Sequence, residues 1–296
     1  MKDKVLKNSE ITVLIVIYKE TYELVSQTLK QLNSYPIIII DNGNDIDLKD
    51  KIENSFKINK YILNKTNSGF SAGYNQAIKL CETKFCLILG PDCIIENNSI
   101  IKLLEAYIKY DNCFMVAPTS YGANGVLTYV GGPLPEKGSK DKILKLEGDV
   151  CVESVLGACM LVKISDLKNI KMFDENLFLY FSDDDLCRKI KKINRSIIQV
   201  YDAKCIHTHG ILKISNKFLR IFIREYNLIY DGLYYYHKVN NEYFYLKNKK
   251  KINSYLIKFF LRLLLLRIGD SIYLLSKICA YYSFVYRFKW RGGREV

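Results

Sequence analysis

The chain has 296 residues, of which 49% are hydrophobic, so one α/β domain with an extension fits its length and can bury a substantial core. Nine cysteines, an odd number without a CxxC pair and mostly in apolar runs, exclude a disulfide framework or zinc site and favour reduced thiols in a cytosolic chain. The formal net charge of +13 is uneven: residues 247–296 carry twelve basic and two acidic side chains, which leaves +3 for residues 1–246.

The first third of the chain alternates between strand-like and helix-like stretches. Apolar, β-branched runs predict strands at 11–17, 36–41, 60–64 and 84–89, and apolar residues at helical spacing predict a helix at 71–81. Fully apolar runs that alternate with helices indicate a mostly parallel sheet covered on both faces. The predicted class is therefore α/β, with the βαβ architecture of nucleotide-binding folds.

The middle of the chain changes character. Residues 121–140 are rich in Gly and Pro, which is typical of a hairpin and loop, and residues 151–164 return to a strand with a small-residue break. Strand-like stretches follow at 196–201 and 203–210. The chain then becomes helical and aromatic, and the change in charge places a soft domain boundary near Leu246.

Three consecutive aspartates begin a predicted helix in YFSDDDLCRKI (180–190). Ser182 is a good N-cap, and acidic residues in a first helical turn interact favourably with the helix dipole by about 0.3–1 kcal/mol each. Asp184 and Asp185 have Arg188 and Lys189 four residues further on, which is the spacing of a helical ion pair. These two aspartates are therefore expected to start the helix and pair with bases.

Asp183 differs from its neighbours because Cys187, not a basic residue, stands four positions further on. Helical periodicity places it at the head of an apolar stripe that should face inward, formed by Leu186, Ile190 and Ile193. A carboxylate without a basic partner in a cleft is a candidate general base. Asp183 is the predicted catalytic residue.

Two other aspartates follow predicted strands, where ligands of open α/β sheets bind. Asp92 in LGPDC comes directly after the strand at 84–89 and suits a hard divalent cation that bridges phosphate oxygens. Asp41 ends the second strand in IIIIDNGN and can accept hydrogen bonds from a base or a ribose. Both stretches also fit ordinary turns, so the sequence alone leaves each role open.

Two further segments carry candidate ligand-binding groups. The loop NSGFSAGYN (67–75) enters a helix, and its glycines allow close backbone approach, although it matches neither GxGxxG nor a P-loop. His207 and His209 in IHTHG follow a predicted strand; a lone histidine is more often structural than a ligand, and one of these two is a candidate metal ligand. We predict His207 as the metal ligand.

Six short segments match, in chain order, the pattern of one enzyme family. They are VLIVIYKE (13–20), IIIIDNGN (37–44), the N-x-G-F-x-x-G-x-N loop (67–75), GPD (90–92), FDENLFLYFSDDDLC (173–187) and H-x-x-G (207–210). Together they resemble the inverting GT-A-type glycosyltransferases of family two, and most of all their rhamnosyltransferase-like branch. The resemblance implies a GT-A (Rossmann-like) fold, a nucleotide-sugar donor, a bound Mg²⁺ or Mn²⁺ and one catalytic base.

Carried over by position, the resemblance gives each candidate residue a role. It implies that Tyr18 and Asp41 hold the nucleotide and that Asp92 and His207 bind the metal-diphosphate. Asp183 would remove the proton from the acceptor hydroxyl. The donor-side loop would contribute Asn67, Gly69, Phe70 and Asn75. Two positions depart from the pattern: Gly90 replaces the Asn or Asp that often begins the DxD signature, and Ser182 replaces the usual Glu before the base. These departures keep a donor-binding pseudoenzyme open as an alternative.

The basic tail after residue 246 has its own prediction. Residues 249–269 contain Lys258, Arg262 and Arg267, too many charges for a membrane span. On a helix, the basic residues share a narrow face and leave a broad apolar remainder that includes Ile252, Tyr255, Phe259, Leu263 and Leu266. Such a helix lies in the plane of an anionic membrane surface, or alternatively packs on the catalytic domain or a second subunit.

The predicted function is inverting transfer of a sugar, with dTDP-rhamnose as the leading donor, to a hydroxyl of a glycan or polyprenyl-linked acceptor in surface polysaccharide synthesis. The charged start of the chain argues against a signal peptide, so we expect a cytoplasmic enzyme that is peripheral on the inner membrane face. A UDP-hexose transferase of the same fold is the nearest alternative. A second alternative is a nucleic-acid-binding protein, because the chain is basic and has 23 tyrosines that could stack on bases. The excess positive charge is confined to the tail, so we expect no nucleic-acid partner. The oligomeric state stays open.

Overall fold

The computed structural model describes residues 10–129, 131–137, 147–208 and 216–290. The chain divides into two compact units. A sheet-containing unit is formed by Met1–Asp174 and Ser182–Lys213, and a helical unit by Glu175–Phe181 and Ile214–Val296. The boundary expected near Leu246 lies inside a helix of the second unit.

The first half of the sheet is parallel and follows the predicted strand–helix alternation. Its strands are β1 (Ile11–Ile17), β2 (Ile37–Asp41), β3 (Lys60–Leu63) and β4 (Phe85–Leu89), in the order β3-β2-β1-β4. The connecting helices are α1 (Tyr22–Leu29), α2 (Ile46–Ser55) and α3 (Gly69–Leu80). The carboxyl ends of these parallel strands therefore meet at one edge of the sheet, where the sequence placed its candidate residues.

The second half of the sheet is mixed and continues as β4-β9-β6-β10-β5. Its elements are β5 (Cys93–Ile95), α4 (Asn97–Lys109), β6 (Cys113–Tyr121), β7 (Leu127–Tyr129), a 3-10 turn (Pro135–Lys137), β8 (Val150–Val152), β9 (Cys159–Lys163), α5 (Ile164–Asn169), α6 (Ser182–Lys192) and β10 (Ser196–His207). β9 runs antiparallel to both β4 and β6. The stretches expected at 196–201 and from 203 onward form one strand, β10, which ends at His207 and has a register shift against β6 between Val200 and Lys204; residues 209 and 210 lie outside the described residues.

The apolar strands are buried on both faces, which explains why they do not alternate with polar residues. Along β1, Val13 and Ile15 belong to one buried cluster and Leu14 to another. β2 divides in the same way, with Ile39 on one side and Ile40 on the other. All nine cysteines are free thiols, and seven of them are buried, in agreement with the expected core role.

The helical unit consists of α7 (Lys217–Lys238), α8 (Glu242–Leu264) and α9 (Ile268–Trp290). Tyrosines form much of its interior: Tyr235 is fully buried and stacks on Phe181, and Tyr245 stacks on Tyr281. The buried Asp231 carboxylate accepts three backbone N–H bonds at 2.9–3.2 Å from residues 178–180, which joins Glu175–Phe181 to α7. These tyrosines therefore serve packing within the unit.

The apolar face of α8 does not lie free, as an in-plane amphipathic helix requires. Ile252 is buried, and Tyr255 and Phe259 pack against the core that α8 shares with α7 and α9. Of the predicted face, only Leu263 and Leu266 are exposed. Across the described parts of the chain, none of the helices combines the length and the apolar character that crossing a bilayer requires.

Candidate functional site

Asp92 and His207 meet at the carboxyl end of β4. Asp92 lies between β4 and β5, and His207 is the last residue of β10, which pairs antiparallel with β5 so that His207 stands opposite Cys93. The His207 Nε2 atom is 3.1 Å from the Asp92 Oδ2 atom. Thr208 holds the Asp92 carbonyl through its N–H at 2.9 Å and its hydroxyl at 3.0 Å. The two residues assigned to the metal from sequence are therefore neighbours, while His209 lies outside the described residues.

The donor atoms around this pair fit a divalent cation. One ligand atom each of Asp92, Cys93 and His207 lies within 4.8 Å of the others. Carboxylate oxygen and imidazole nitrogen suit Mg²⁺, Mn²⁺ and related ions. Gly90 stands where the family pattern often has Asn or Asp, so this position supplies no second carboxylate. A Cβ atom on Gly90 would lie 3.0 Å from the Asp92 carboxylate, which shows that the glycine packs closely against Asp92.

The electrostatics of His207 reflect its contact with Asp92. Burial lowers the pKa of His207, but the hydrogen bond and the negative charge of Asp92 outweigh burial and raise it. A cation at this place would compete with the proton for the imidazole nitrogen.

Asp183 lies in the first turn of α6 and is partly exposed. Its Oδ2 atom accepts the Gly157 N–H at 2.8 Å, and its Oδ1 atom accepts the Asp184 N–H at 3.0 Å. Among the residues that the structure describes, no basic side chain forms an ion pair with it. The carboxylate is therefore oriented by backbone groups and keeps lone pairs for a proton.

The neighbouring aspartates pair differently from the expected pattern. Arg188 pairs with Asp185 at 3.1 Å, and Lys189 approaches the same carboxylate at 3.7 Å. Asp184 was expected to pair with Arg188; instead it is buried and accepts the Ser154 hydroxyl at 2.8 Å. The expected pairing of Asp185 with Lys189 is present, whereas the expected pairing of Asp184 with Arg188 was wrong because a three-residue spacing also brings Arg188 onto Asp185.

Two smaller expectations for α6 also need correction. Ser182 does not cap the helix with its side chain; its hydroxyl accepts the Ser71 hydroxyl at 2.8 Å, and both groups are buried. Leu186 and Ile190 face the core as predicted, but Ile193 is exposed because α6 ends at Lys192. The inward stripe is therefore one turn shorter than the sequence pattern indicated.

A two-residue segment between β8 and β9 joins the two halves of the site. Gly157 donates its N–H to Asp183, and the next carbonyl, that of Ala158, accepts the Gly90 N–H at 2.8 Å. Gly90 in turn packs against the Asp92 carboxylate. A Cβ atom on Gly157 would lie 3.1 Å from the Asp183 Cβ atom, so the close approach requires glycine. Asp183 and the Asp92–His207 pair thus adjoin the same short backbone segment.

The donor-side loop enters α3 at Gly69. The Asn67 side chain accepts the Gly69 N–H at 2.9 Å, and Gly69 has a φ of +81°, a left-handed conformation that favours glycine. Phe70 packs its ring on Tyr74 and Phe173, with centroid distances of 4.6 and 5.6 Å. Its ring also reaches within 3.3 Å of the Cβ position of Gly157, which places this loop beside the segment described above.

Asn75 is set apart from the other loop residues. It is buried, its amide nitrogen donates to the Phe173 carbonyl at 3.1 Å, and its amide oxygen accepts the Phe173 N–H at 3.0 Å. These bonds fix Phe173 against α3. The donor-contact role assigned to Asn75 from the resemblance stays a prediction.

Asn42 was overlooked in the sequence, although it is part of the DNGN match. Its amide nitrogen donates to the Gly69 carbonyl at 3.0 Å, and its amide oxygen accepts from Ser68 and Asn64, each at 2.9 Å. It therefore joins the carboxyl end of β2 to the start of α3. The one sequence signal for this role is that Asn42 directly follows Asp41, the last residue of β2.

Asp41 and Tyr18 occupy the ends of β2 and β1. Asp41 is fully buried, and its carboxylate accepts the Gly43 N–H at 2.6 Å, the Asp45 N–H at 3.2 Å and the Tyr61 hydroxyl at 3.2 Å. Burial raises the pKa of Asp41. Its bonds already shape the turn after β2, whereas Tyr18 is partly exposed and accessible to a nucleotide.

Glu20 is a titratable group of the site that the sequence reasoning missed, although it ends the VLIVIYKE match. Its carboxylate accepts the Tyr18 N–H. Burial raises the pKa of Glu20 to about 7, and the negative charges of Asp92 and Asp41 contribute to the rise. Glu20 thus lies in the electrostatic field of both Asp92 and Asp41.

We expect the Glu20→Gln variant to gain stability over the parent chain as the pH rises. Because folding raises the pKa of Glu20 from 4.5 to about 7, the parent chain loses stability at this group as the pH rises through that window. Gln removes the loss, which amounts to about 3 kcal/mol at most. Denaturant unfolding at pH 5 and pH 8, with a chelator present, measures the difference. The exposed Glu105→Gln serves as control, and a pH-independent difference would contradict the assignment.

Two solved structures share the fold at low sequence identity. The mannosyltransferase PcManGT from Pyrobaculum calidifontis, in complex with GDP-Man and Mn2+, is 10% identical with a TM-score of 0.55, and the match covers 96% of this chain and 88% of that chain. GalNAc-T7, with UDP, GalNAc and Mn2+, is 14% identical with a TM-score of 0.55; the match covers 71% of this chain and 45% of that chain, less than half of its length. The fold is that of the GT-A glycosyltransferases.

The family follows from the sequence comparisons. Residues 12–165, more than half of the chain, match the model described as Glycosyl transferase family 2. The dTDP-rhamnosyl transferase RfbF of Shigella flexneri is 25% identical over 212 residues, which cover 69% of this chain and 70% of that protein. The chain belongs to glycosyltransferase family 2 and is an enzyme of the hexosyltransferase class, similar to a rhamnosyltransferase.

Proposed function

We propose that the protein transfers a sugar, with inversion at the anomeric carbon, from a nucleotide-sugar donor to a hydroxyl of an acceptor. One observation carries the proposal: Asp183 and the Asp92–His207 pair both adjoin the segment of Gly157 and Ala158. A base and a diphosphate site that adjoin one short segment suit a displacement in which both act on the same anomeric carbon, the base on the acceptor and the diphosphate as the leaving group.

The chain's own residues account for the proton and the charge in this reaction. The Asp183 carboxylate takes the proton of the acceptor hydroxyl as the new bond from its oxygen to the anomeric carbon forms. The bond from the anomeric carbon to the phosphate oxygen breaks, and the electron pair leaves with the nucleoside diphosphate. Asp92 and His207 would hold a divalent cation, Mg²⁺ or Mn²⁺, which supplies charge neutralisation for the leaving diphosphate.

The leading donor is dTDP-rhamnose, and the rhamnosyltransferase-like motifs and the similarity to the dTDP-rhamnosyl transferase support it. UDP-hexoses are the alternative. A ligand that binds only the folded state stabilises it by about 2.7 kcal/mol at a concentration of 100 times Kd. We expect dTDP-rhamnose with Mn²⁺ to raise the melting temperature more than UDP-glucose does. If UDP-hexoses raised the melting temperature more than dTDP-rhamnose does, a UDP-hexose would be the donor. If no nucleotide sugar raised the melting temperature, the proposed function would be contradicted.

The proposed acceptor is a glycan or polyprenyl-linked hydroxyl in surface polysaccharide synthesis, which places the enzyme in the cytoplasm at the inner membrane face. The basic residues of the tail support an anionic membrane surface as partner, since each Lys or Arg near such a surface contributes about 1 kcal/mol. Flotation of the intact chain with phosphatidylglycerol vesicles tests this partner. Equal recovery with uncharged phosphatidylcholine vesicles, or none with either, would contradict it.

A further inference from the structure

The turn between α8 and α9 exposes three consecutive leucines. Leu264, Leu265 and Leu266 are 80, 67 and 81% exposed. The preceding turns of α8 add further exposed apolar side chains, namely Ile257, Phe260, Leu261 and Leu263. We call these seven exposed apolar side chains, all between positions 257 and 266, the hairpin tip. A contiguous apolar surface of this kind marks an interaction site, whereas single exposed leucines need no explanation.

The backbone conformation at the turn does not favour a leucine at position 266. Leu266 has a φ of +56°, a conformation that bulky residues rarely adopt and that Gly or Asn usually supplies at a helix end. The helix nevertheless ends there in order, with Leu266 N–H bonded to Leu263 at 3.0 Å and Arg267 N–H bonded to Arg262 at 2.9 Å. Gly or Asn would relieve the strain at this position, so the backbone conformation does not account for the leucine.

The charges around the hairpin tip identify the kind of partner. Lys258, Arg262 and Arg267 flank it, and Asp270 is the acid near them, 3.9 Å from Arg262 and 2.6 Å from Arg267. An apolar surface bordered by bases matches an anionic bilayer, in which acyl chains lie beneath negative headgroups. A second copy of the chain packed tip to tip would bring like charges together, so lipid is favoured over a dimer.

We propose that the hairpin tip inserts end-on into the interfacial layer of an anionic membrane. Lys258 precedes Leu264 by six residues, so in a straight helix it stands about 9 Å above that leucine. This separation agrees with the depth of about 5–10 Å to which interfacial helices insert. Leucines then enter the acyl boundary while Lys258 remains among the headgroups, and the long side chains of Arg262 and Arg267 extend back toward the headgroups. The inference rests on the proposed membrane partner and is independent of the sugar donor.

The test compares two triple variants of the full chain. In the tip variant, Leu264→Gln, Leu265→Gln and Leu266→Asn replace the exposed leucines; because they are exposed, the fold is retained, and thermal unfolding checks this. The matched control replaces three other exposed apolar side chains, 56–60% exposed, in Ile46→Gln, Ile108→Gln and Val126→Gln. We expect the tip variant to partition about 100-fold more weakly onto phosphatidylglycerol vesicles, and the control to bind as the parent does.

A fluorescent reporter distinguishes insertion from surface adsorption. The chain has one tryptophan, Trp290, so Leu265→Trp in a Trp290→Phe background gives a single probe. Its emission should shift to the blue on vesicles and be quenched by brominated acyl chains, whereas Tyr282→Trp in the same background should not respond.

Equal vesicle binding by the tip variant and the parent would overturn the inference while leaving the membrane partner intact. A parent dimer that becomes monomeric in the tip variant, without change in vesicle binding, would also overturn it and assign the tip to a second copy. Failure of the parent to bind vesicles would refute the partner itself, and sugar transfer to a soluble acceptor would remain measurable in every case.

Discussion

Replacing Asp183 with Asn is expected to lower turnover by about 10²–10⁴-fold and to leave donor binding nearly unchanged. Asn keeps the size of the side chain and an oxygen that can accept the Gly157 N–H, but it cannot take the proton of the acceptor hydroxyl. The loss should therefore appear in kcat. Steady-state kinetics with a nucleotide-sugar donor, together with calorimetric donor binding, separate the two effects.

Asp184→Asn is the matched control for this prediction. Asp184 occupies the same helical turn and accepts a hydrogen bond from the Ser154 hydroxyl, which an Asn side-chain oxygen can also accept. We expect this variant to fold and to turn over as the parent does. Near-normal turnover of Asp183→Asn would refute the base assignment, and equal losses in both variants would indicate disruption of α6.

The fold was predictable where burial is complete. Strands β1, β2 and β4 lie between two layers of apolar side chains, so their sequences are unbroken apolar runs that single-sequence reasoning detects. The antiparallel direction of β9 between β4 and β6 was not predictable, because an apolar run has the same composition in either direction. The inclusion of Glu175–Phe181 in the helical unit depends on bonds to Asp231, more than 50 residues away.

The site was predictable where position on the chain fixes position in space. Asp92 follows β4, and β10 brings His207 to it through its register with Cys93, so motif order was sufficient. The role of Asn75 was not predictable, since its partner, Phe173, is 98 residues away.

Helical spacing misassigned the aspartate partners for a related reason. Spacing restricts which residues can meet within α6 but says nothing about a partner from another segment, and Ser154 binds Asp184 across 30 residues. Glu20 escaped notice because its raised pKa arises from burial near Asp92 and Asp41, a property of the folded site and not of the local sequence.

Replacing Asp92 with Asn is expected to reduce turnover at least about 10²-fold and to abolish the stabilisation that Mn²⁺ gives to the donor complex. Asn retains an oxygen at the site but not the negative charge that attracts a cation beside His207. Without metal, donor binding should not weaken, because the variant removes a charge that repels the diphosphate. Thermal shifts of the donor complex with and without Mn²⁺ measure the two binding predictions, and steady-state kinetics measure turnover.

The control and a companion variant test whether one cation site explains the loss. Asp202→Asn removes an exposed carboxylate from the same strand as His207 and should leave the Mn²⁺ response unchanged. His207→Gln should lose the response as Asp92→Asn does, because the two side chains supply neighbouring ligand atoms. If Mn²⁺ still stabilised the donor complex of Asp92→Asn as it does that of the parent, Asp92 would not be a ligand. The charge on the leaving diphosphate would then have to be neutralised by other groups.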